Sequence, residues 1–444
     1  MCLGLKLGER TMRLYKCLWV SLLAFVFSGA AAESIVLAGG RVIDPATNSA
    51  AISAAIVIED GRITQVGPLE DLDISETAKQ IDVAGKFIIP GLIDTHNHLN
   101  FGHPEADSEP AKIIYALPEW GVTTVFATHI DMESFQNLKS TAHLGDGPPA
   151  RFYAVGRGLG AKDGWGGTLT GGYTPGSLND ARAAVQELAA AGVDGIKLAY
   201  DDMTTFGMGP WPMLEPAVMQ AIIEEAHRQS LKAYVHAPIL EFAKDALRAG
   251  ADVLVHGIIS EPIDDEFIEL MRKNGAFYIP THILYEQGAN KPAMSHRYQS
   301  LDQRRLIDSA IFKAMWDSRR QNPATGSKLP VLRENLRRVV AAGLPVAMGS
   351  DTGVPGVLAG ISSQMELVLY VETAMAPMDA IRTATATAAE MIGQGNNIGS
   401  IEPGKFADLV ILTANPLDDI RNISRIWAVM VGGQWAVAPI PVRL

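Results

Sequence analysis

GLIDTHNHL, residues 91–99, reads as an apolar strand that ends in two histidines one residue apart. Side chains at i and i+2 of a strand point to one face, so His96 and His98 can aim at a single ion. Four further apolar runs also carry a candidate ligand: GVDGIKLAY (192–200), KAYVHAP (232–238), ADVLVHG (251–257) and LPVAMGSDTG (344–353). They offer Lys197, His236, His256 and Asp351. Imidazole and carboxylate together suit Zn2+ and similar first-row ions. Parallel strands closed into a barrel would bring these ends to one mouth, where barrel enzymes keep their chemistry.

The pattern around these runs is that of βα units. Eight strands are expected near residues 92–98, 122–128, 151–155, 195–199, 233–236, 253–256, 276–281 and 346–350. Helical patterns lie between them. One covers 178–191, with Ser177 as cap and Gly192 as stop, and another covers 215–229, with Val218, Ile222 and Ala226 on its apolar face. Two insertions interrupt the rhythm, a Gly-rich loop at 158–176 and a long, largely helical stretch at 285–334, both placed over the mouth. From 34 to about 89, and again after 399, short β-rich runs alternate with Gly, Pro and Asn turns. The expected architecture is α/β: a (β/α)8 TIM barrel at 90–398 with a small β-sandwich built from both chain ends, 33–89 and 399–444.

Arg13 and Lys16 precede an apolar run, CLWVSLLAFVF at 17–27, and Ala30, Ala31 and Ala32 follow it. This is the layout of a signal peptide over 1–32, which predicts a secreted, periplasmic protein. An eleven-residue run is short for a span of about 20 residues, so no stable membrane anchor is expected after cleavage. Both cysteines, Cys2 and Cys17, fall in this leader, which leaves His, Lys and carboxylate as metal ligands. Of the 444 residues 48% are hydrophobic and 19% charged, as in a packed globular core. The formal charge of −12 would repel phosphate backbones, and it argues against nucleic-acid partners. A homo-oligomer is left open.

The ordered set of strand-end ligands resembles the amidohydrolase superfamily, in its imidazolonepropionase-like branch of metal-dependent hydrolases, and within it the binuclear Xaa-Pro dipeptidase-type members. GGRVIDPATN (39–48), IEDGRITQVG (58–67), GKFIIPGLIDTHNH (85–98) and the closing GSIEPGKFADLVILTANPLDDI (399–420) carry the same likeness. The resemblance implies two divalent ions, Zn2+ being the expected metal. His96 and His98 would hold one ion and His236 and His256 the other, with Lys197 carboxylated by CO2 and bridging both. It further implies that Asp351 touches the metal and acts as general base and acid while a hydroxide shared by the ions attacks a carbonyl.

Each residue also has a plainer reading. Lys197 can pair with Asp201, His236 and His256 can be hydrogen-bonded core histidines, and Asp351 can cap a turn. His282 and Tyr200 are further catalytic candidates, at the end of strand seven and just past Lys197; packing roles are the alternative. His129 reads as a neighbour of the ligands rather than a ligand. Arg157 is a candidate for a substrate carboxylate, or for a fold-supporting salt bridge, and Trp165, Tyr173 and Trp211 for an aromatic substrate wall. The expected activity is cleavage of amide C–N bonds in small substrates, dipeptides or N-acyl amino acids. Cyclic amides, lactones and phosphotriesters are the alternative electrophiles, and a non-catalytic binding scaffold is the alternative class.

Overall fold

The computed structural model describes residues 34–99, 110–140, 147–289, 291–302, 326–354 and 356–439. The leader at 1–32, and with it the secretion expectation, lies outside the described residues, as does much of the 285–334 insertion.

Strand β6 (Leu92–Asn97) and strand β7 (Val122–Ala127) are buried at every position. That is the fate of parallel strands covered on both faces, and it explains why they read as continuous apolar runs. With β8 (Arg151–Ala154) they form a parallel sheet, ordered β6-β7-β8. A second parallel sheet is ordered β12-β11-β10-β9, from β9 (Ile196–Ala199), β10 (Ala233–His236), β11 (Val253–Val255) and β12 (Phe277–Ile279). The helices between them are amphipathic, and the one before β9 is capped as the pattern predicts. Ser177 accepts from the Asp180 amide at 3.2 Å to start helix Leu178–Ala190, and Gly192 follows its end at φ 80°. A cap of this kind contributes about 1 kcal/mol.

Ladder pairing does not run unbroken around the ring. Two irregular segments join the sheets instead. Leu159 donates to Lys197 O and accepts from Ala199 N, both at 2.9 Å, on the β8 side of β9. Opposite, Tyr278 N donates to Pro345 O (3.0 Å), Thr95 N to Met348 O (3.0 Å) and Asp351 N to His96 O (2.8 Å). The expected eighth strand at 346–350 is therefore a bridging segment with a single bridge at Val346, not a regular strand. Its run is short, and it must turn at its end: Asp351 sits at φ 61°. The fold is α/β of the TIM-barrel type.

The chain ends do pair. An eight-stranded sheet is ordered β15-β14-β13-β5-β1-β2-β3, with β4 added beside β1. Its strands are β1 (Ile35–Asp44), β2 (Ser49–Glu59), β3 (Arg62–Gly67), β4 (Lys79–Asp82), β5 (Phe87–Pro90), β13 (Leu409–Leu412), β14 (Ile426–Val431) and β15 (Gln434–Val437). The join between the two ends is antiparallel, with Pro90 opposite Leu409 and Phe87 opposite Leu412. Hydrogen bonding links these strands from both chain ends into one continuous sheet, with a buried core that includes Leu37, Ile56, Ile88, Leu409 and Met430. Ile43, Ile89, Val410 and Leu412 share a buried core with the barrel residues Leu92 and Val122, and residues 33–444 form one compact unit.

Candidate metal centre

The geometry starts at β6. Two residues before His96, Asp94 is fully buried and gathers five donors, the longest being Asn97 Nδ2 to Oδ2 at 3.5 Å. Its Oδ1 accepts from the His96 amide (3.2 Å) and the Ser350 amide (3.1 Å), and its Oδ2 from the Ser350 hydroxyl (2.6 Å) and the Ser363 hydroxyl (2.8 Å). Burial pushes its carboxyl up while these bonds pull it down. Asp94 thereby locks the strand that carries two histidines onto the segment that carries Asp351. Gly349 is required there, because a Cβ would lie 2.5 Å from the Cβ of His96.

His96 Nε2 and His98 Nε2 approach Asp351 Oδ1 at 2.9 and 3.1 Å. The ligand atoms of these three residues all lie within 4.8 Å of one another. His256 and His236 follow in space, with ring centroids 5.0 Å from His96 to His256 and 4.6 Å from His256 to His236. Lys197 on β9 lines the same cavity as His98, His236, His256 and Asp351, and is 8% exposed. Burial lowers its pKa to about 7, against a pull upward from Asp351. No ion pair joins it to Asp201 among the described residues. Asp201 Oδ2 instead meets His236 Nε2 at 2.8 Å.

These residues fit divalent ions. Burial holds His96 down to about 3 and His256 well below the usual histidine range, so both rings are neutral and keep a lone pair. Burial disfavours the Asp351 carboxylate too, but His96 and His98 outweigh it and hold its pKa well below the ordinary range. Asp351 Oδ1 and His96 Nδ1 are nevertheless buried without an aligned hydrogen bond. A buried carboxylate oxygen in that position calls for a cation. Both partner contacts orient the outer histidines. A carboxylate can only accept, so Asp201 Oδ2 accepts from His236 Nε2–H, and in that tautomer Nδ1 carries the lone pair. Thr281 Oγ1 sits 2.9 Å from His256 Nδ1, which in the matching tautomer frees Nε2. His256, Thr281 and Asp351 all have left-handed backbone, at φ 72°, 46° and 61°, and such local strain clusters at working sites.

Residues 87–436 match the amidohydrolase family. The chain belongs to that family. It is similar to the imidazolonepropionase of Porphyromonas gingivalis, 26% identical over 384 residues that span 81% of this chain and 83% of the relative. It is 28% identical over 245 residues to the ochratoxinase of Aspergillus niger, 53% of this chain and 42% of that one. Among solved structures, a Bifidobacterium longum protein whose name assigns it provisionally as a prolidase superimposes with a TM-score of 0.75 at 28% identity, covering 93% and 96% of the two chains. This amidohydrolase is thus a metal-dependent hydrolase by family.

Of the outlying residues weighed from the sequence, Trp165 and His129 reach the cavity. Trp165 lines it, stacked on Trp211 with centroids 6.2 Å apart and tilted against His236. Arg157 does not, because its guanidinium is taken up within the Gly-rich loop. Nε donates to Gly171 O (2.8 Å), Nη2 to Gly172 O (3.2 Å), and the group lies 4.5 Å from the Tyr173 ring centre. Tyr173 in turn donates to Glu187 at 2.5 Å. Tyr200 packs its ring against Phe242 and is 5% exposed. His282 begins helix His282–Ala289 instead of ending a strand, and is fully buried outside the cavity lining. His129 does line the cavity and accepts from the Gly158 amide at 3.1 Å.

The sequence reading missed Asp94, Thr281, Glu366 and Thr128, whose hydroxyl lies 3.3 Å from His96 Nε2 at the cavity. Asp94 lies inside the quoted 91–99 run, and its even spacing from His96 and His98 was a usable signal. Glu366, on helix Ile361–Thr373, is fully buried, and burial pushes its pKa up to about 8. Nothing local marks it. Because the Arg157 guanidinium braces a loop, Arg157→Met is expected to change KM by the same factor for a substrate with a free carboxylate and for its amide. Trp165→Ala is expected to raise KM about 2–10-fold, the range of one lost aromatic contact. Steady-state kinetics on the matched pair checks both, and a carboxylate-specific loss would return Arg157 to substrate binding.

Proposed function

We propose that this amidohydrolase cleaves the amide bond of small substrates, dipeptides or N-acyl amino acids, with two divalent ions held by the centre described above. The observation that carries this reading is the buried Asp351 oxygen on which His96 and His98 converge at 2.9 and 3.1 Å, in a cavity that also holds Lys197, His236 and His256. His96, His98 and Asp351 would hold one ion and His236 and His256 the other, Zn2+ being the expected metal, with Lys197 shared as its carbamate. When bound, such ions supply Lewis acidity and bring the ionisation of water toward neutral pH.

The chain's own groups do the rest. Asp351 Oδ1 accepts a proton from the attacking water as its oxygen bonds to the carbonyl carbon. The same oxygen returns that proton to the nitrogen as the C–N bond breaks, giving a carboxylic acid and an amine. Asp201 and Thr281 keep the His236 and His256 rings turned toward the cavity. Leu159, Leu198, Val354 and Trp165 give the cavity an apolar wall that suits an apolar substrate side chain. The relatives named above act, by their names, on an imidazolone ring, on ochratoxin and on a prolyl peptide, and this range supports the C–N bond as the common target.

The test is a substrate panel with the metal-loaded enzyme. Dipeptides or N-acyl amino acids with apolar side chains are expected to show higher kcat/KM than lactones, cyclic amides or phosphotriesters. A higher value on a lactone or phosphotriester than on every amide would move the assignment to another electrophile and leave the centre intact.

A further inference from the structure

Thr281 is a β-branched residue at φ 46°, a conformation such residues rarely adopt unless the surroundings impose it. Its hydroxyl is the partner of His256 Nδ1, so whatever holds Thr281 also aims His256. On its N-terminal side the hold is the barrel: Gly257 N donates to Pro280 O at 3.0 Å. On its C-terminal side the hold comes from a residue 85 positions away in sequence. Glu366 Oε1 accepts from the His282 amide at 2.6 Å and Oε2 from the Ile283 amide at 2.7 Å. One carboxylate thus satisfies the first two amides of helix His282–Ala289, groups that no bond within the helix can satisfy. One turn earlier on the same helix, Ser363 donates to Asp94. Helix Ile361–Thr373 therefore grips both the His96 side and the His256 side of the centre.

We propose that Glu366 is a positioning residue of the metal centre: by clamping the amides that follow Thr281, it fixes the strained turn whose hydroxyl orients His256. The inference rests on the metal reading given above. Charge-neutral replacement is the sharpest probe, since Glu366→Gln keeps one acceptor oxygen and sets an NH2 group against the second amide.

The experiment strips the full-length protein with a chelator and titrates it with Zn2+. Glu366→Gln is expected to weaken Zn2+ affinity by about 10-fold or more, the range for groups that orient ligands. Leu367→Ala, a fully buried core neighbour on the same helix, is the control for general loosening and is expected to leave affinity within about 2-fold. Combined with Thr281→Ala, Glu366→Gln should add little further loss, because both act through one contact. Wild-type affinity in Glu366→Gln, equal loss in Leu367→Ala, or full additivity with Thr281→Ala would each overturn the proposal. A readout without metal separates it from the metal reading: the ring nitrogen shifts of His256 in the stripped protein should move in Glu366→Gln. If wild type takes up no Zn2+, the metal reading fails, and unmoved His256 shifts would then sink the positioning role as well.

Discussion

Lys197→Ala is expected to bind fewer ions than wild type and to lose kcat by roughly 10²–10³-fold, the range for removing a group that fixes charge at a reacting centre. Elemental analysis should give about two divalent ions per wild-type chain and about one or fewer in the variant. The physical ground is burial: Lys197 sits at 8% exposure, its pKa is drawn down to about 7 against the upward pull of Asp351, it has no ion pair within 4 Å among the described residues, and the nearby Asp201 is committed to His236. A lysine in this state is half neutral near pH 7, whereas an ordinary one is almost wholly protonated. Only the neutral amine attacks CO2, forming an N–C bond and releasing a proton. At a fixed concentration of dissolved CO2, carboxylation of the stripped protein should therefore quicken as pH rises through 7 and level off above it, as followed by 13C signals of labelled CO2. A short carboxylic acid added to Lys197→Ala should restore part of both metal and turnover. Two ions and normal turnover in Lys197→Ala would return the residue to a purely structural role.

The second large effect concerns Asp351. Asp351→Asn keeps an oxygen that can face a metal but cannot take up a proton at neutral pH. Metal content should largely persist while kcat falls by about 10²–10⁴-fold, as for a positioned acid–base group. The two roles separate because the contacts of Asp351 Oδ1 to His96 and His98 are those of a shared ligand, while its place in the cavity lining is that of a base. Near-normal kcat would show that another group moves the proton. Loss of metal together with kcat would show that ligation dominates.

How much of this was legible beforehand follows from how local each feature is. The terminal strands were readable because turn residues and β-rich runs announce themselves, yet their merging into one sheet depends on β5 meeting β13 across more than three hundred residues. The segment 346–350 looked like its seven predecessors in composition. It makes only scattered bonds, to Tyr278 on one side and to Thr95 and His96 on the other, in place of a continuous ladder.

Arg157 shows the same limit from the functional side. A cation at a strand end beside a Gly-rich loop invites assignment to a substrate anion, and only the folded loop reveals two carbonyls and an aromatic ring already there to receive it.

By itself the sequence determined the apolar strand runs, the order of the candidate ligands His96, His98, Lys197, His236, His256 and Asp351 along them, and the net negative charge, because strand periodicity and ligand chemistry are properties of a few adjacent residues. Only the tertiary structure decided which of those side chains share a cavity and which atoms hold them in place. Asp94 meets Ser350 over a separation of 256 residues, and Glu366 meets His282 over 84, so the physics that orients the centre lies in contacts no local pattern encodes.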